Sequence, residues 1–185
     1  MEDRKGQIIQ VATDFIKKYG YDSFSYKDLS EAVGITKATL HHHFAKKEDL
    51  GIAVLQVIQG QLEYLKEKTF EIEDSKERLT FMFECMKGTV QEKDICPISS
   101  MQAEFNVIPD SLRGKISEIS TFEVDLLTQI LEVGKKDGSF HFEGDAKNTA
   151  LIMMTSYKGA IMYSRSVEST ILDTVLEGII TSVVK

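Results

Sequence analysis

Apolar side chains recur every three or four positions along most of the chain, which is the spacing of one face of an α-helix. The first such stripe lies within residues 4–19 and consists of Ile8, Ala12, Phe15 and Tyr19. Gly20 then favours a helix end, because glycine adopts the left-handed backbone of a C-cap without strain. Ser25 and Thr36 are suitable N-caps for two further, shorter helices.

The same periodicity continues to the end of the chain and is interrupted by short polar segments. The stretch from Gly134 to Gly144 is polar and contains several glycines, so it predicts a loop. The further predicted helices cover residues 47–69, 75–92, 97–105, 109–133, 145–163 and 168–184. With about nine helices and no convincing strand, the predicted fold class is all-α.

Charge is unevenly distributed over the 185 residues. The formal net charge is −7, yet residues 1–50 hold eight basic and eight acidic side chains and are neutral. The remaining residues hold 14 basic and 21 acidic side chains. This asymmetry predicts two parts with different partners, and the overall acidity argues against a protein that coats nucleic acid without specificity.

Neither membrane insertion nor disulfide chemistry is indicated. The longest apolar run, residues 150–154, is far shorter than the roughly 20 residues that a membrane span requires. The two cysteines, Cys85 and Cys96, form neither a disulfide framework nor a CxxC metal motif. We therefore expect no membrane association and a reducing, cytoplasmic location.

Residues 25–47 carry the most specific pattern in the chain, two short helices joined by a turn at Gly34. This is the pattern of a helix-turn-helix, in which the second helix enters the major groove of DNA. At about 100° per residue, Leu40 and Phe44 share the inner face of that helix. The side chains on its outer face and flanks are then Lys37, Ala38, Thr39, His41 and His42.

Basic residues accompany this helix pair. Residues 25–47 contain four lysines against two acidic residues, a local charge of +2. Lys46 and Lys47 fall at the start of the next helix, where positive charge and free backbone N–H groups can hold a phosphate. Helix pairs with glycine turns also occur in many helical proteins that do not bind DNA, so the pattern alone leaves both interpretations open.

A family resemblance is carried by the string from Leu29 to Leu50, which reads LSEAVGITKATLHHHFAKKEDL. It resembles the DNA-binding domain of the TetR/AcrR family of bacterial transcriptional repressors, and the apolar helix before it matches the first helix of that three-helix domain. The resemblance implies base or phosphate contacts from Thr36, Lys37, Ala38, His41, His42 and His43. It further implies phosphate contacts from Ser25, Tyr26 and Lys47. The family usually has a tyrosine where this chain has His41.

Metal and enzyme functions are not predicted. The run from His41 to His43 cannot converge on one ion, because neighbouring residues of a helix point about 100° apart, and no nearby cysteine completes a ligand set. The sequence shows no Ser/His/Asp order, no paired carboxylates in a credible cleft and no glycine-rich phosphate loop. We therefore expect no catalytic residues, no metal and no cofactor.

For the second half of the chain, the resemblance implies a helical ligand-binding and dimerisation domain. We expect residues 1–47 to form the DNA-binding domain and residues 48–185 this second domain. The last two long helices, with apolar stripes from Ala146 to Ile161 and from Ile171 to Val183, are expected to pair with a second subunit. An intramolecular core is the alternative. In a two-fold dimer, the two helices that enter the major groove lie about 34–36 Å apart, so a palindromic operator is expected.

Methionine and phenylalanine side chains are frequent in the middle of the chain and suit a pocket for a small apolar molecule. The candidate lining residues are Met82, Met86, Phe105, Phe122, Met154 and Tyr157. Ordinary core packing is the alternative for each of them. Glu104 can pair with a ligand cation or with a helix end.

Cys96 directly precedes Pro97 at the predicted start of a helix, a position that makes a thiol more reactive. The segment from Cys96 to Glu104 resembles that of a TetR/AcrR subgroup, some members of which sense electrophiles or oxidants through a cysteine at a similar place. The alternative is that Cys96 is a small, buried apolar side chain. The sequence thus predicts a dimeric operator-binding repressor that a small apolar ligand releases from DNA. The alternatives are a redox- or electrophile-sensing repressor acting through Cys96, and a helical small-molecule-binding module without DNA binding.

Overall fold

The computed structural model describes residues 3–91 and 93–184. In these residues the chain forms nine α-helices and no β-strand, with one isolated antiparallel bridge between Phe140 and Val184. The helices are α1 (Arg4–Tyr19), α2 (Tyr26–Val33), α3 (Lys37–His43), α4 (Lys47–Glu71), α5 (Ser75–Gly88), α6 (Pro97–Ala103), α7 (Asp110–Asp137), α8 (Ala146–Ser164) and α9 (Ile171–Thr181). The predicted all-α class is confirmed.

The helices divide into two compact units. The first unit comprises the chain up to Gly60 together with Pro97–Glu118, and the second unit comprises Gln61–Cys96 and the chain from Ile119 onwards. Two divisions fall inside helices, so α4 and α7 each contribute residues to both units. The division into two functional domains at residue 47 concerns binding rather than packing and stays a prediction.

The core of the first unit is formed by the inner faces of its helices. The apolar side chains that α1, α2 and α3 bury there are Ile8, Ala12, Ile16, Leu29, Val33 and Leu40. Helix α6 packs against α1, where the Ser100 hydroxyl donates a buried hydrogen bond of 2.9 Å to the Ile16 carbonyl oxygen. The second segment of this unit is therefore joined to the first by helix packing and by a buried hydrogen bond.

In the second unit, the apolar stripe of α8 faces the core of its own chain. The residues it buries are Ala146, Ala150, Met153, Met154, Tyr157, Ala160 and Ile161. Of the two interpretations left open for this stripe, a subunit contact and an intramolecular core, the intramolecular core is correct for α8, because the same chain already covers it. The opposite face of α8 exposes Leu151, Ile152, Met162 and Tyr163. None of the described helices has both the length and the apolar character needed to cross a membrane.

Helix α7 continues through Gly134, where the sequence predicted the start of a loop, and ends at Asp137. Gly134 is buried because the ring of Phe140 packs directly on it, and a Cβ atom there would collide with that ring. The Phe140 N–H also donates a hydrogen bond of 2.9 Å to the Gly134 carbonyl oxygen. This glycine therefore marks a close approach rather than a helix end. Helix α5 ends at Gly88, and the end predicted near Glu92 lies outside the described residues.

Candidate nucleic-acid interface

A capping box starts helix α2. The Asp28 carboxylate accepts a hydrogen bond of 2.8 Å from the Ser25 N–H and one of 2.6 Å from the Ser25 hydroxyl. In return, the Ser25 hydroxyl oxygen accepts a bond of 3.4 Å from the Asp28 N–H. The hydrogen bonds with Ser25 lower the pKa of Asp28. Ser25 is exposed, as a phosphate contact requires, but its hydroxyl group already serves the cap.

The turn between α2 and α3 orients the second helix. Gly34 has φ 74° and ψ 35°, the left-handed conformation that glycine adopts without strain. Thr36 then caps α3, because its hydroxyl oxygen accepts a hydrogen bond of 3.1 Å from the Thr39 N–H. The two threonine hydroxyl oxygens are 2.9 Å apart and share a further hydrogen bond. The two threonines thus fix the N-terminal end of α3.

Helix α3 exposes the face that the periodicity predicted. Leu40 and Phe44 are buried beneath it. The exposed side chains are those of Lys37, Ala38, His41 and His42, whereas those of Thr39 and His43 are half-buried. A small alanine allows close approach of the backbone, and lysine and histidine side chains can form hydrogen bonds to base edges or phosphates.

The Tyr26 phenol connects the first turn of α2 to the end of α3. Its hydroxyl donates a hydrogen bond of 3.0 Å to the Phe44 carbonyl oxygen. Burial, followed by the Asp49 carboxylate, raises the pKa of Tyr26 to about 12. The ring lies 4.8 Å from the ring of His41, whose Nδ1 is 3.3 Å from the Ala45 carbonyl oxygen. Tyr26 therefore stays protonated and helps to hold the two helices together.

Lys47 points inward rather than toward the surface. Its amine donates a hydrogen bond to the Phe24 carbonyl oxygen and lies 4.3 Å from the centre of the Phe24 ring and 4.9 Å from that of Tyr21. Burial lowers the pKa of Lys47. Its neighbour Lys46 is exposed. The phosphate contact predicted for Lys47 stays a prediction, but the geometry favours Lys46 for that role.

The N-terminal part of the chain matches a known family. Residues 8–54 match the family model described as bacterial regulatory proteins, tetR family. Residues 8–54 therefore form a TetR-family N-terminal domain. The matched range covers α1 to α3 and the beginning of α4, which are the elements that present the exposed face of α3.

Known repressors and solved regulator structures match the chain over nearly its whole length. KstR2 of Rhodococcus jostii (strain RHA1), an HTH-type transcriptional repressor, is 25% identical over 180 residues, covering 93% of this chain and 85% of that protein. The crystal structure of a TetR-family regulator from Agrobacterium tumefaciens superposes with a TM-score of 0.93 at 26% identity, covering 100% and 99% of the two chains. The crystal structure of FadR from Bacillus subtilis in complex with stearoyl-CoA has the same fold, with a TM-score of 0.69 at 22% identity and coverage of 96% and 98%. These matches support a DNA-binding transcriptional repressor of the TetR family.

The six residues predicted to line a ligand pocket are divided between the two units, and their pocket stays a prediction. Phe105 lies in the first unit and is exposed, whereas the other five lie in the second unit. Four of these are packed as core residues, at 0 to 8% exposure: Met82, Met86, Met154 and Tyr157. Phe122 lines a shallow groove of about 420 Å³ beside residues of α4.

A larger cavity of the second unit was not predicted. It has a volume of about 560 Å³ and is lined by residues of α5, α8 and α9 and of the segments that follow α5 and precede α9. Several charged side chains line it, and two of them, Lys87 and Asp173, form an ion pair. This mixed polar lining differs from the apolar pocket that the sequence suggested.

Cys96 belongs to a polar cluster that the sequence does not reveal, in which Glu123 is buried and Cys96 and Lys158 are half-buried. The Lys158 amine donates hydrogen bonds of 3.3 Å to the Cys96 sulfur and 2.7 Å to the Glu123 carboxylate. Burial alone would lower the pKa of Lys158, but the nearby Cys96 and Glu123 groups outweigh it and raise this pKa, so the amine stays charged. The sequence signal for the cluster was a lysine beside the apolar stripe of α8.

Proposed function

We propose that this protein represses transcription as a homodimer that binds a palindromic DNA operator. One α3 helix of each subunit enters the major groove, where its exposed face meets base edges and phosphates. The proposed contact residues are Lys37, Ala38, His41 and His42, with Ser25, Tyr26, Thr36, Thr39, His43 and Lys47 at the rim or in support. The observation that carries the proposal is the exposed lysine, alanine and histidine face of α3 within the matched residues 8–54.

We further propose that the exposed faces of α8 and α9 form the dimer interface. Helix α8 leaves four large apolar side chains between 42 and 66% exposed: Leu151, Ile152, Met162 and Tyr163. Helix α9 packs beside α8 and buries only Leu176 among its own residues. An apolar surface of this kind is typical of a subunit interface. Light scattering should therefore give a dimer for the wild-type protein and a monomer with weakened operator binding for Ile152→Glu.

A small apolar effector is proposed to release the repressor from DNA by binding to the second unit. The support is the group of core methionines together with Tyr157, because methionine side chains repack readily around an apolar ligand. Release requires only that the effector bind more tightly to the conformation that does not fit the operator. The contributions of Phe105 and Phe122 stay predictions.

Stearoyl-CoA, the ligand of the FadR complex, is the first effector probe. If the effector contains a long acyl chain, saturating stearoyl-CoA should weaken operator binding by this protein, and coenzyme A alone should not. Operator binding that is unchanged in stearoyl-CoA and in free stearate would exclude that ligand class.

A gel shift with the DNA upstream of the gene tests operator binding. Lys37→Ala and His42→Ala should each weaken binding by about tenfold, since one good base contact is worth about 1–3 kcal/mol. The matched controls are Lys136→Ala and His141→Ala, which alter an exposed lysine and an exposed histidine of the second unit. Wild-type binding should fall steeply with salt, because phosphate contacts release counterions.

The outcomes of this experiment are distinct. Full operator binding by both α3 variants would refute the assignment of the reading helix. A wild-type protein that shifts no upstream DNA would refute the proposed function and would leave a helical ligand-binding module without DNA binding.

A second candidate function is release from DNA by an electrophile that modifies Cys96. The hydrogen bond from Lys158 favours this candidate, because cysteines beside a cationic group react readily. In this reaction the Cys96 thiol loses its proton, and its sulfur bonds to the β-carbon of an α,β-unsaturated carbonyl compound. The π electrons of the carbon–carbon double bond then take up a proton at the α-carbon, so no oxidant is required.

N-ethylmaleimide tests the electrophile candidate. Treatment should abolish operator binding by the wild-type protein and by Cys85→Ser, and should leave Cys96→Ser bound. Cys85 is the matched control, since burial raises the pKa of its thiol. Loss of binding by treated Cys96→Ser at the wild-type rate would refute this candidate.

A further inference from the structure

A carboxylate just beyond α6 holds the corner between α1 and α2. Glu104 accepts a hydrogen bond of 2.8 Å from the Tyr21 N–H and, with both oxygens, contacts of 3.3 Å from the Asp22 N–H. These N–H groups lie between two helices, so the carboxylate satisfies donors that otherwise need water. Glu104 and the corner both belong to the first unit.

Gly20 leaves the space that this carboxylate occupies. Its φ of 96° lies in the region that favours glycine, and a Cβ atom there would lie 2.5 Å from a Glu104 carboxylate oxygen. From the sequence, Glu104 was expected to pair with a ligand cation or with a helix end. Its partners are instead the backbone N–H groups of the corner.

Lys47 fixes the other side of the same corner. Its amine is bonded to the Phe24 carbonyl oxygen and lies over two aromatic rings of the corner. Phe24 immediately precedes Ser25, the N-cap of α2. Residues 20–24 are therefore held between Glu104 and Lys47, and they set the direction in which α2, and with it α3, leaves α1.

We propose that Glu104 is a positioning residue for operator binding, because it fixes this corner and thereby the presentation of α3. The inference rests on the proposed function. The charge of Glu104 and its role in fixing the corner predict opposite changes in operator affinity when the carboxylate is removed. A carboxylate repels DNA phosphates, so removing its charge should by itself strengthen operator binding. Loss of the hydrogen bonds to the Tyr21 and Asp22 N–H groups should weaken operator binding, because the corner must then become ordered when the protein binds DNA.

The test is operator affinity by fluorescence anisotropy for Glu104→Gln and Glu104→Ala. Glutamine retains one acceptor oxygen but places an amide donor against the corner N–H groups. We expect about tenfold weaker binding by Glu104→Gln, since hydrogen bonds to a charged group have about that effect, and at least the same loss for alanine. Glu132→Gln is the matched control, because it removes the same charge from an exposed position of α7 in the second unit.

Hydrogen exchange of the free protein supplies a local measurement. The Tyr21 and Asp22 amides should exchange faster in Glu104→Gln than in the wild type, with the amides inside α1 unchanged. A variant that was merely less stable would instead show faster exchange throughout the first unit.

Each contrary result overturns the inference. The inference is wrong if Glu104→Gln binds the operator as tightly as the wild type or more tightly. It is also wrong if the Tyr21 and Asp22 exchange rates are unchanged, or if the loss of affinity is fully explained by the fraction of unfolded protein. A wild-type protein that binds no operator refutes the proposed function itself, and the wild-type titration shows this before any variant is compared.

Discussion

Replacing Lys158 with methionine should destabilise the protein by about 3 kcal/mol, because it leaves the Glu123 carboxylate buried without its partner. The side chains of Lys158 and Glu123 are 15% and 6% exposed, and their amine and carboxylate are 2.7 Å apart. Removing one member of a buried pair typically costs about 3–5 kcal/mol. The residual exposure of Lys158 puts this pair at the lower end of that range.

The double variant separates the cost of an orphaned charge from the value of the pair. Glu123→Leu alone should cost about 2 kcal/mol, since the lysine that remains has more access to water. The double variant Lys158→Met/Glu123→Leu should cost only about 1 kcal/mol, because two apolar side chains of similar volume can fill the site. The two single effects should therefore not add.

Urea unfolding followed by circular dichroism measures these differences. All variants are compared at one protein concentration, since the proposed dimer would be stabilised by mass action. A loss of about 3 kcal/mol corresponds to a fall in Tm of about 6–12 °C for a chain of this size. Lys136→Met, at an exposed position, is the control and should change stability by less than about 0.5 kcal/mol. Single effects below that limit, or single effects that sum to the double, would refute the reasoning.

Three further predictions follow from the same structure. In urea unfolding, Lys47→Met should destabilise the protein more than Lys46→Met does. Lys46→Met, by contrast, should reduce the salt dependence of operator binding by about one counterion. The reverse pattern would contradict the inward placement of Lys47. Gly134→Ala should destabilise by about 1–3 kcal/mol in the same assay, because a methyl group collides with the Phe140 ring, and an unchanged midpoint would contradict that packing. The pKa of Asp28 is lowered on folding. The stabilising effect of its carboxylate is therefore complete at pH values above its ordinary pKa of 3.8 and is lost as the pH falls through the lower pKa of the folded state. Asp28→Asn should abolish this part of the pH dependence of the free energy of unfolding.

Local signals account for the parts of the fold that the sequence predicted well. The helix-turn-helix needs a capping residue at Ser25 and at Thr36, a left-handed glycine at Gly34, and an inner face through Leu40. Each of these features acts within about four residues along the chain, so the order of residues is sufficient to reveal it. The exposed face of α3 follows from the same spacing, and the structure places it as expected.

The features that the sequence did not reveal depend on residues outside the helix in which each feature lies. Gly134 was interpreted as a helix breaker, because the Phe140 ring that requires it lies beyond the helix end. Lys47 has a charge that suits a phosphate, but the Phe24 carbonyl that its amine reaches is 23 positions away. The partners Lys158 and Glu123 are 35 positions apart. No periodicity reports such pairs, since their contacts are set by how helices pack.

The packing of α6 with the N-terminal helices bears on the construction of hybrid regulators. A DNA-binding head, meaning the N-terminal part of the chain cut at residue 54 where the family match ends, would lack Ser100 and Glu104. The Ile16 carbonyl group would lose its bond from the Ser100 hydroxyl, and the Tyr21 and Asp22 N–H groups would have only water as a partner. A chimera that takes its operator specificity from this protein should therefore carry Pro97–Glu118 along with the first sixty residues, and one that receives a foreign head should be given that head's own sixth helix.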